Sequence, residues 1–587
     1  MGKPFIAEIE NFTGGLNEAA PENVSANELA VCEDFHVDGP SLSQREGTDD
    51  LTSAYTEEIL SVFRYAPSFD TEETILLGCQ SSIARVVAGA IQAIEILDGV
   101  YPSSDFRWWG KQYKDEFFMC RKLNGTVKRL YGPSVRDAGI AAPSSPPTAT
   151  DGGPGKKTAG VYRFAYRFVN TVTGARSNWS PLSTEVTIAE SHQVLMSSIL
   201  ASSNSQVNGR QIGATQPDGA VIYLVGQIND NVSTTFVENA LSPDEYGEAA
   251  IDVNGVPTTD IGNIPPPQQA TALEGHKERL FVLNDDGLSW SEPGLWQSFK
   301  ASSFIPVNKG NGLLSWDQRG LVISTLEDVE ILFGDTPSDW KKDKLSQQHR
   351  CASGTSMAVG DGTLFWYTGT NIVASTGGAP SILPRIERIR DTLDSIPDAA
   401  KGDAVGVTVP SKGWYLLSVE TDDGRKVIVY DYVRSAFAVF PEGPKTLATT
   451  NTTEGAEIVY SAFDDDFVLY EYLTGTTDNG SAITGSFRTA KIGGQDSHRI
   501  TRRVSLHCRA VNRKATVRIY HDDLLVTTRT GVSLNKNEPK RITVDANAPP
   551  GSYIQVEVEI EASGTGRPRF ERMQIEGVEL RRRVMAI

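Results

Sequence analysis

Carboxylate and histidine side chains are the residues of this chain that could bind a metal ion or transfer protons. Asp464–Asp466 are consecutive, whereas a calcium loop needs oxygen ligands at alternating positions around one ion. His498, His507 and His521 are close only in sequence and belong to no His-x-x-x-His or Gly-x-Ser-x-Gly motif. The sequence therefore predicts no catalytic residues and no metal ligands, and it favours a solvated turn at the acidic run.

A second motif with chemical potential is Asp285-Asp-Gly-Leu-Ser-Trp290. It resembles the Asp box of sialidase-type propellers, Ser-x-Asp-x-Gly-x-Thr/Ser-Trp, but Leu283 stands where the leading Ser belongs. An Asp-Gly turn followed by a buried Trp is also what an ordinary β-hairpin uses. We favour the hairpin, and a glycosidase or a carbohydrate-binding surface are the alternatives.

No cofactor is predicted. Gly152–Thr158 is rich in Gly and Lys but lacks the glycine spacing and the Gly-Lys-Ser/Thr ending of a phosphate-binding loop, so we interpret it as linker. The five cysteines are far apart, odd in number and without a Cys-x-x-Cys pair, which predicts reduced, buried thiols. They are Cys32, Cys79, Cys120, Cys351 and Cys508.

Two aromatic pairs, Trp108–Trp109 and Phe117–Phe118, could stack on sugars or bases. Aromatic side chains more often supply core packing. We therefore predict that both pairs belong to the hydrophobic core.

The net charge of −19 is distributed unevenly along the chain. Residues 481–587 contain 19 Lys and Arg against 11 Asp and Glu, and residues 1–480 contain 36 against 63. An acidic body argues against a tight nucleic-acid ligand, because Lys and Arg contacts to phosphates supply most non-specific affinity. The basic C-terminal end could dock an acidic neighbour or another copy of the chain, or it could be a solvated face. Its candidate docking residues are Arg581, Arg582 and Arg583.

The 587 residues exceed what one hydrophobic core can organise, which predicts about three or four packed units. Met1–Asn11 has no apolar stretch of a secretory signal, so we expect synthesis in the cytoplasm. Ile83–Leu97 is the most apolar stretch, but it contains Arg85 and Glu95 and is too short to span a bilayer. No membrane anchor is predicted.

Short runs of β-branched and aromatic residues, closed by Gly, Asn or Asp, predict an all-β protein. Asp286-Gly287, Asp361-Gly362 and Asp423-Gly424 are hairpin signals. Even spacing of many short strands favours a propeller-like body over stacked sandwiches, although the number of blades cannot be counted from the sequence. Only two helices are expected, at Pro384–Ser395 and, more weakly, at Ser191–Ala201.

Composition changes along the chain predict five segments. The Pro-, Ser- and Gly-rich stretch before Thr158 cannot pack a core and indicates a boundary. The predicted segments are 1–140, the first part of the propeller-like body; 141–157, a linker; 158–270, an inserted fibronectin-like β module; 271–480, the second part of the body; and 481–587, a C-terminal β-sandwich.

The first 48 residues contain three short sequence motifs, which we call phrases, in this order: Phe12-Thr-Gly-Gly-Leu-Asn17, Asn27-Glu-Leu-Ala30 and Ser43-Gln-Arg-Glu-Gly-Thr48. This order resembles the start of the nozzle, or tail tubular, proteins of short-tailed bacteriophages. The chain departs from that pattern at Asp34, where Asn is common, and at Glu46, where Pro is common. Later matching phrases are Glu278–Val282, Leu288–Glu292, Val329–Ile331, Cys351–Gly354, Leu364–Trp366 and Gly369–Ile372.

The resemblance implies a non-enzymatic virion protein of the tail, whose copies form a homo-oligomer, a hexameric ring. It implies portal or adaptor proteins above the ring, needle or tail fibre proteins nearby, and viral DNA that is retained by the channel and then ejected through it without specific binding. An acidic wall would repel phosphates during ejection. The alternatives are a carbohydrate- or receptor-binding tail protein with a propeller fold, and an adhesive bacterial surface protein.

Overall fold

The protein is all-β, as the sequence predicts, and it is built from short strands with very little helix. Within the described residues, no helix is long and apolar enough to cross a membrane. The computed structural model describes residues 3–19, 23–68, 74–96, 107–122, 125–132, 134–172, 175–220, 222–239, 249–251, 264–317, 319–452, 455–464, 466–494, 497–509, 512–535, 539–545, 547–564 and 566–581.

The first strands of the chain belong to a β-sandwich that the C-terminal residues complete. The sixth strand leaves this sandwich and enters the propeller. The strands are β1 (Lys3–Ile9), β2 (Gly15–Leu16), β3 (Glu28–Glu33), β4 (Phe35–Asp38), β5 (Ser41–Gln44) and β6 (Gly47–Asp50).

Two four-stranded antiparallel sheets follow, each made of consecutive strands joined by turns. They are the first two blades of the propeller. Blade 1 consists of β7 (Ile59–Tyr65), β8 (Thr74–Cys79), β9 (Ser82–Val87) and β10 (Ala90–Ile96); blade 2 consists of β11 (Trp108–Tyr113), β12 (Glu116–Arg121), β13 (Lys128–Tyr131) and β14 (Ser134–Asp137).

A fibronectin-like sandwich is inserted after blade 2. A three-stranded sheet (β15, β19, β22) and a four-stranded sheet (β17, β20, β21, β23) pack around one core, and β16 pairs with β18. The strands are β15 (Thr148–Lys157), β16 (Gly160–Tyr162), β17 (Phe164–Val169), β18 (Val186–Ile188), β19 (His192–Ser197), β20 (Gly209–Thr215), β21 (Ile222–Ile228), β22 (Phe236–Glu238) and β23 (Ala249–Ile251).

Three more four-stranded sheets, blades 3 to 5, follow the insertion. Blade 3 consists of β24 (Ala272–His276), β25 (Arg279–Leu283), β26 (Gly287–Glu292) and β27 (Leu295–Pro306). Blade 4 consists of β28 (Gly310–Trp316), β29 (Gly320–Thr325), β30 (Val329–Phe333) and β31 (Lys341–Ser346); blade 5 consists of β32 (Ala358–Gly360), β33 (Thr363–Tyr367), β34 (Ile372–Ser375) and β35 (Ser381–Ile382).

A short helical segment separates blade 5 from blade 6: a 3-10 turn at Ile386–Ile389 continues into α1 (Arg390–Asp394). This confirms the helix predicted over Pro384–Ser395. Blade 6 consists of β36 (Val405–Val409), β37 (Trp414–Thr421), β38 (Gly424–Asp431) and β39 (Ala436–Phe440); the chain then adds β40 (Thr446–Asn451), β41 (Glu457–Ala462) and β42 (Tyr470–Thr474).

The seventh blade is completed by β6 from the N-terminal region. Strand β6 pairs antiparallel with β42, with Thr48 opposite Tyr472 and Asp50 opposite Tyr470. A Cβ on Gly47 would lie 1.8 Å from the backbone oxygen of Thr477, so only glycine fits at the start of this strand. The sheet thus contains strands from both ends of the propeller, and this closes the ring.

The first strand of each blade lies at the centre of the ring. Contacts join β7 to β11, β11 to β24, β24 to β28, β32 to β36, β36 to β40 and β40 back to β7. Between blades 4 and 5, the 3-10 turn Gly354–Ser356 contacts both β28 and β36. The described residues therefore form seven blades.

The inner strands of several blades are buried on both faces, which explains their mainly apolar composition. Every residue of β29 is buried, and so are the first six residues of β37. Trp316 and Trp366 fill the space between blades 4 and 5 without exposure to solvent. Burial on both faces thus explains why these strands consist mainly of apolar residues.

The C-terminal sandwich joins strands from both ends of the chain. One sheet has the order β4-β5-β52-β47-β50, with β1 beside β52, and the other runs from blade 6 through β3, β45, β51 and β48 to β49. The remaining strands are β43 (Thr477–Asp478), β44 (Ser481–Ala482), β45 (Ser486–Thr489), β46 (Ile492–Gly493), β47 (Ser497–Arg509), β48 (Lys514–His521), β49 (Leu524–Ser533), β50 (Lys540–Thr543), β51 (Tyr553–Ile560) and β52 (Arg569–Arg581).

The structure corrects three sequence-based assignments. Strands β1, β3, β4 and β5 belong to the sandwich and not to the propeller, because β1 and β5 pair with β52 and β3 pairs with β45. The predicted linker 141–157 ends in strand β15, where an edge position and two register shifts accommodate Pro154. The weaker predicted helix Ser191–Ala201 contains strand β19 instead.

Candidate functional site

Of the three C-terminal arginines predicted to dock a partner, the structure describes Arg581, at the end of the sandwich. Arg581 is the last residue of β52 and pairs with Ser497 of β47. Arg582 and Arg583 lie outside the described residues. Docking through these arginines stays a prediction.

The arginines that precede them contact acidic residues near the N-terminus. Ion pairs join Arg567 to Glu46 at 3.0 Å, Arg569 to Asp38 at 2.9 Å and Arg572 to Glu8 at 3.8 Å. Part of the positive charge of the basic C-terminal unit is therefore neutralised by acidic residues of the segment that contains β1 to β6.

The phrases near the N-terminus form two sets of largely buried contacts, one at each end of β3, which we together call the joint. It comprises Asn17, Glu28, Asp34, Arg45, Arg388 and Asp478, and it connects the sandwich, the propeller and the helical segment before blade 6. Phe12 lies beside it, fully buried, with its ring centroid 6.0 Å from that of Phe487.

Arg45 is the centre of the first half of the joint. Its Nε donates to Asp34 at 2.5 Å, and its Nη1 and Nη2 donate to the two oxygens of Asp478 at 2.8 and 2.6 Å. Arg45 and Asp34 are almost completely buried. Burial raises the pKa of Asp34 to about 6, although the Arg45 guanidinium opposes this effect. Arg45 thus ties the sandwich to the strands that close blade 7.

Glu28 is the centre of the second half. Its carboxylate accepts a hydrogen bond from Asn17 Nδ2 at 2.7 Å and forms an ion pair with Arg388. Arg388 Nη1 also donates to the backbone oxygen of Gly14 at 2.9 Å. These contacts fix the Gly-Gly-Leu-Asn phrase against the helical segment.

The two departures from the nozzle-protein pattern have local explanations. Asp34 has a φ of 57°, in the left-handed region where Asn and Asp are enriched, so either residue suits the backbone. Glu46 accepts ion pairs from Lys412 at 2.6 Å and from Arg567 at 3.0 Å. A carboxylate at position 46 therefore connects the loop before β37 to the sandwich.

His36, next to the joint, makes stability depend on pH. Burial, reinforced by the nearby Arg567, lowers its pKa from 6.5 to about 3, so the unfolded chain binds a proton between these values that the folded chain does not. The contribution of neutral His36 to the free energy of unfolding is therefore fully present above pH 6.5 and decreases as the pH falls. We expect His36→Gln to reduce the slope of unfolding free energy against pH by up to about 1.4 kcal/mol per unit.

This slope is best measured between pH 6.5 and 4 by urea unfolding, followed by the fluorescence of tryptophans such as Trp414, whose ring centroid is 4.7 Å from that of His36. Asp34 acts in the opposite direction between pH 3.8 and about 6, and the comparison of variant with parent cancels its contribution. Equal slopes for both proteins would contradict a buried, neutral His36.

A second charged cluster, the axial network, lies at the centre of the propeller. Arg107 and Arg425 share Asp403, at 3.0 and 2.8 Å, and Asp464 lies 3.3 Å from Arg425. Lys445 pairs with Glu58 and lies 3.4 Å from Asp464. Glu58, Arg107 and Lys445 each directly precede the first strand of a blade. The network therefore joins blades 1, 2, 6 and 7 at one end of the propeller axis.

A recess of about 250 Å³ lies beside the axial network. Residues at the starts of the central strands form its walls, including Arg107, Thr271, Asn311, Ser353 and Asp403. The recess is far too small for a nucleic-acid duplex.

The motifs considered for catalysis or ligand binding have structural roles. Asp285-Asp-Gly287 is the turn between β25 and β26, and Trp290 is buried in the core. Lys157 of the Gly-rich segment forms a buried ion pair with Glu238. Asp464 belongs to the axial network, and no group of His, Cys, Asp and Glu suited to a metal occurs within the described ranges.

The structure also decides the assignments of aromatic and cysteine residues. Trp108, Phe117 and Phe118 are buried and Trp109 is half-buried against the core, which confirms the core prediction. All five cysteines are free and buried, as predicted. Burial raises the pKa of the Cys79 and Cys351 thiols to about 12, so they are unreactive at neutral pH.

No protein-family model and no curated protein matches the sequence. Similar solved structures include BBS1N in complex with ARL6DN (9% identity, 75% of this chain, 99% of that chain, TM-score 0.26). Others are PorZ, a surface component of the type-IX secretion system of Porphyromonas gingivalis (11%, 94%, 88%, 0.25), and the Neurospora crassa Pan2 WD40 domain (8%, 74%, 97%, 0.25). TM-scores this low carry no argument about function.

Proposed function

We propose that this chain is a structural, non-enzymatic subunit of a bacteriophage tail nozzle, in which six copies form a ring around a channel for viral DNA. The observation that carries the proposal is the convergence of the nozzle-like phrases on the joint. Phe12–Asn17, Asn27–Ala30 and Ser43–Thr48 are separated in sequence but contribute to the two sets of contacts at the ends of β3. The resemblance therefore involves residues that connect the units of the fold.

The glycines of these phrases support the same argument. Gly15 has a φ of 66°, and a Cβ on it would lie 2.7 Å from the backbone oxygen of Phe437. Gly47 is equally constrained, as described for blade 7. A pattern that depends on such close approaches is expected in proteins that share this joint, and is not expected by chance in an unrelated propeller.

Electrostatics supports a channel that DNA passes without binding. Residues 1–480 are strongly acidic, and a negative wall disfavours phosphate contacts that would retard the duplex. In this proposal the channel lies between the subunits of the ring. Ring contacts of this kind join two different faces of neighbouring subunits.

The deciding experiment is the mass and shape of the purified chain, by light scattering and negative-stain electron microscopy at several concentrations. We expect a hollow ring or short tube with six-fold symmetry, alone or with a portal-complex partner. A compact monomer under every condition, partner included, would overturn the proposal and favour the carbohydrate- or receptor-binding alternative.

The C-terminal arginines give a further prediction for the ring. Replacing Arg581, Arg582 and Arg583 with Glu reverses three charges that would face an acidic neighbouring body, and we expect the fraction of assembled rings to fall at least about tenfold. Sedimentation velocity measures that fraction. The matched control is Arg509→Glu, which reverses one exposed charge on β47. Unchanged assembly of the triple variant would exclude these arginines from the ring contact.

A further inference from the structure

A cleft of about 510 Å³ separates blade 2 from the inserted sandwich. This volume is within the range of small-molecule sites, which often lie between domains. One side, the floor, comes from β13, β14 and the turn between them, and the other side, the wall, comes from two loops of the insertion. The lining residues are Arg129, Tyr131, Gly132, Ser134, Arg136, Asn170, Val172, Ser205, Gln206 and Asn208.

The strand register builds the floor. Arg129 is directly opposite Arg136, and Tyr131 is directly opposite Ser134. Because side chains two residues apart point to the same face of a strand, all four project into the cleft. Leu130 of β13 projects to the opposite face, into the core of blades 1 and 2, and Val135 of β14 packs against that core. The two arginines are therefore held side by side on a rigid sheet.

Hydrogen bonds fix the wall. Asn170 Nδ2 donates to the backbone oxygen of Gln206 at 2.7 Å, and Asn208 Oδ1 accepts from the backbone nitrogen of Thr171 at 2.7 Å. Gln206 is buried, and its Nε2 donates to the backbone oxygen of Gly139 at 2.7 Å. The wall thus presents amide groups in fixed orientations.

Two buried polar atoms in the cleft have no hydrogen-bond partner: Arg129 Nε and Gln206 Oε1. Both residues are more than nine-tenths buried. Leaving a buried donor or acceptor unsatisfied costs about 1 to 3 kcal/mol. These two atoms are closed to solvent, so the groups that a ligand in the cleft can reach are those of Ser134, Arg136, Ser205 and Asn208, which are at least partly exposed.

The charge of the cleft is opposite to that of the protein. Its lining contains two arginines and no carboxylate, although the chain has 74 acidic and 55 basic residues. Arg129 is paired with Glu116. Among the described residues, Arg136 has no ion pair, and it lies opposite Arg129, whose charge Glu116 already neutralises. Arg136 is therefore the cation of the cleft that is available to an anionic ligand.

We propose that this cleft binds a carboxylated sugar unit, with the carboxylate on Arg136 and the ring hydroxyls on the wall. Arginine binds carboxylates through paired N–H donors. The amide of Asn208 and the hydroxyls of Ser134 and Ser205 suit a ligand with several hydroxyls. Tyr131, 48% exposed, offers a flat apolar face for the C–H side of a sugar ring. This site is independent of the nozzle proposal.

The test uses the full-length protein and three small probes, namely glucuronate, glucose and acetate, with binding measured by ligand-observed NMR and calorimetry. Glucuronate and glucose differ only in the carboxylate, and acetate carries the carboxylate without a sugar ring. We expect glucuronate to bind at least about tenfold more tightly than either of the others, because both parts of the ligand contribute.

Variants identify the residues. Arg136→Gln is expected to weaken the binding of glucuronate about tenfold without affecting the binding of glucose. Asn208→Ala is expected to weaken the binding of both sugars severalfold. Arg163→Gln is the matched control, since Arg163 is an exposed arginine of the inserted sandwich outside the cleft. Acetate binding as tight as glucuronate, no binding of glucuronate at millimolar concentration, or equal binding by the Arg136 variant would each overturn the proposal.

Discussion

The Arg45→Met variant is expected to lose about 3 to 5 kcal/mol of unfolding free energy, because it removes the only cation that pairs with both Asp34 and Asp478 at the joint among the described residues. Methionine fills much of the space of the arginine but cannot donate hydrogen bonds. The carboxylate of Asp34 then remains buried without its cation, and the partly exposed Asp478 loses its two hydrogen bonds from Arg45. Urea unfolding at pH 7.5, followed by tryptophan fluorescence, measures the loss.

Two further variants identify the cause. Arg509→Met removes an exposed arginine whose ion pair with Glu571 is solvated, and we expect a change of at most about 1 kcal/mol. Adding Asp34→Asn to Arg45→Met removes one of the unpaired charges, so about 1 kcal/mol or more should be recovered. If Arg45→Met lowered the free energy of unfolding as little as Arg509→Met, the joint would not be a structural connection.

The Lys157→Met variant is expected to destabilise the inserted sandwich by about 3 to 5 kcal/mol, because Glu238 would keep a buried charge without its partner. Both side chains are almost fully buried, with exposed fractions of 0% and 1%. Burial lowers the pKa of Lys157, and the carboxylate opposes this decrease. Thermal unfolding of the full-length protein, with limited proteolysis to report on the insertion, measures the effect.

Replacement of both partners should behave differently from replacement of one. The free energy of unfolding of the double variant Lys157→Met, Glu238→Leu is expected to lie within about 1 to 2 kcal/mol of that of the parent, since an apolar pair can substitute for a buried ion pair. Lys156→Met is the matched control, because Lys156 is the adjacent exposed lysine. A double variant as unstable as the single one would show that packing, and not charge, determines this position.

Local patterns predicted the strands well. The run Thr74–Cys79 is a strand with the predicted bounds, and the Asp-Gly signals at Asp286, Asp361 and Asp423 each mark a turn between paired strands. These features depend on residues close in sequence. Turn chemistry and β-branched runs determine them directly.

Long-range pairing was not predictable in the same way. Nothing in Lys3–Ile9 indicates that its partner is β52, and nothing in Gly47–Asp50 indicates that it completes blade 7. The number of blades depends on which strands contact across the ring, so it could not be counted from the sequence. The cleft escaped prediction for the same reason, because Arg136 and Asn208 meet only in the folded chain.

The pairing of both chain ends in one sandwich determines the order of events during synthesis. Strand β1 is made long before β52, and blade 7 needs β6 as well as β42. The ribosome must therefore synthesise all the residues between the paired strands before these pairings can form, and such non-local contacts form slowly. The insertion, whose described core residues run from 140 to 228 with partly buried Phe236, can fold while the rest is still being translated. The inserted sandwich, with the loops that line the cleft, can therefore fold before the N-terminal strands are paired.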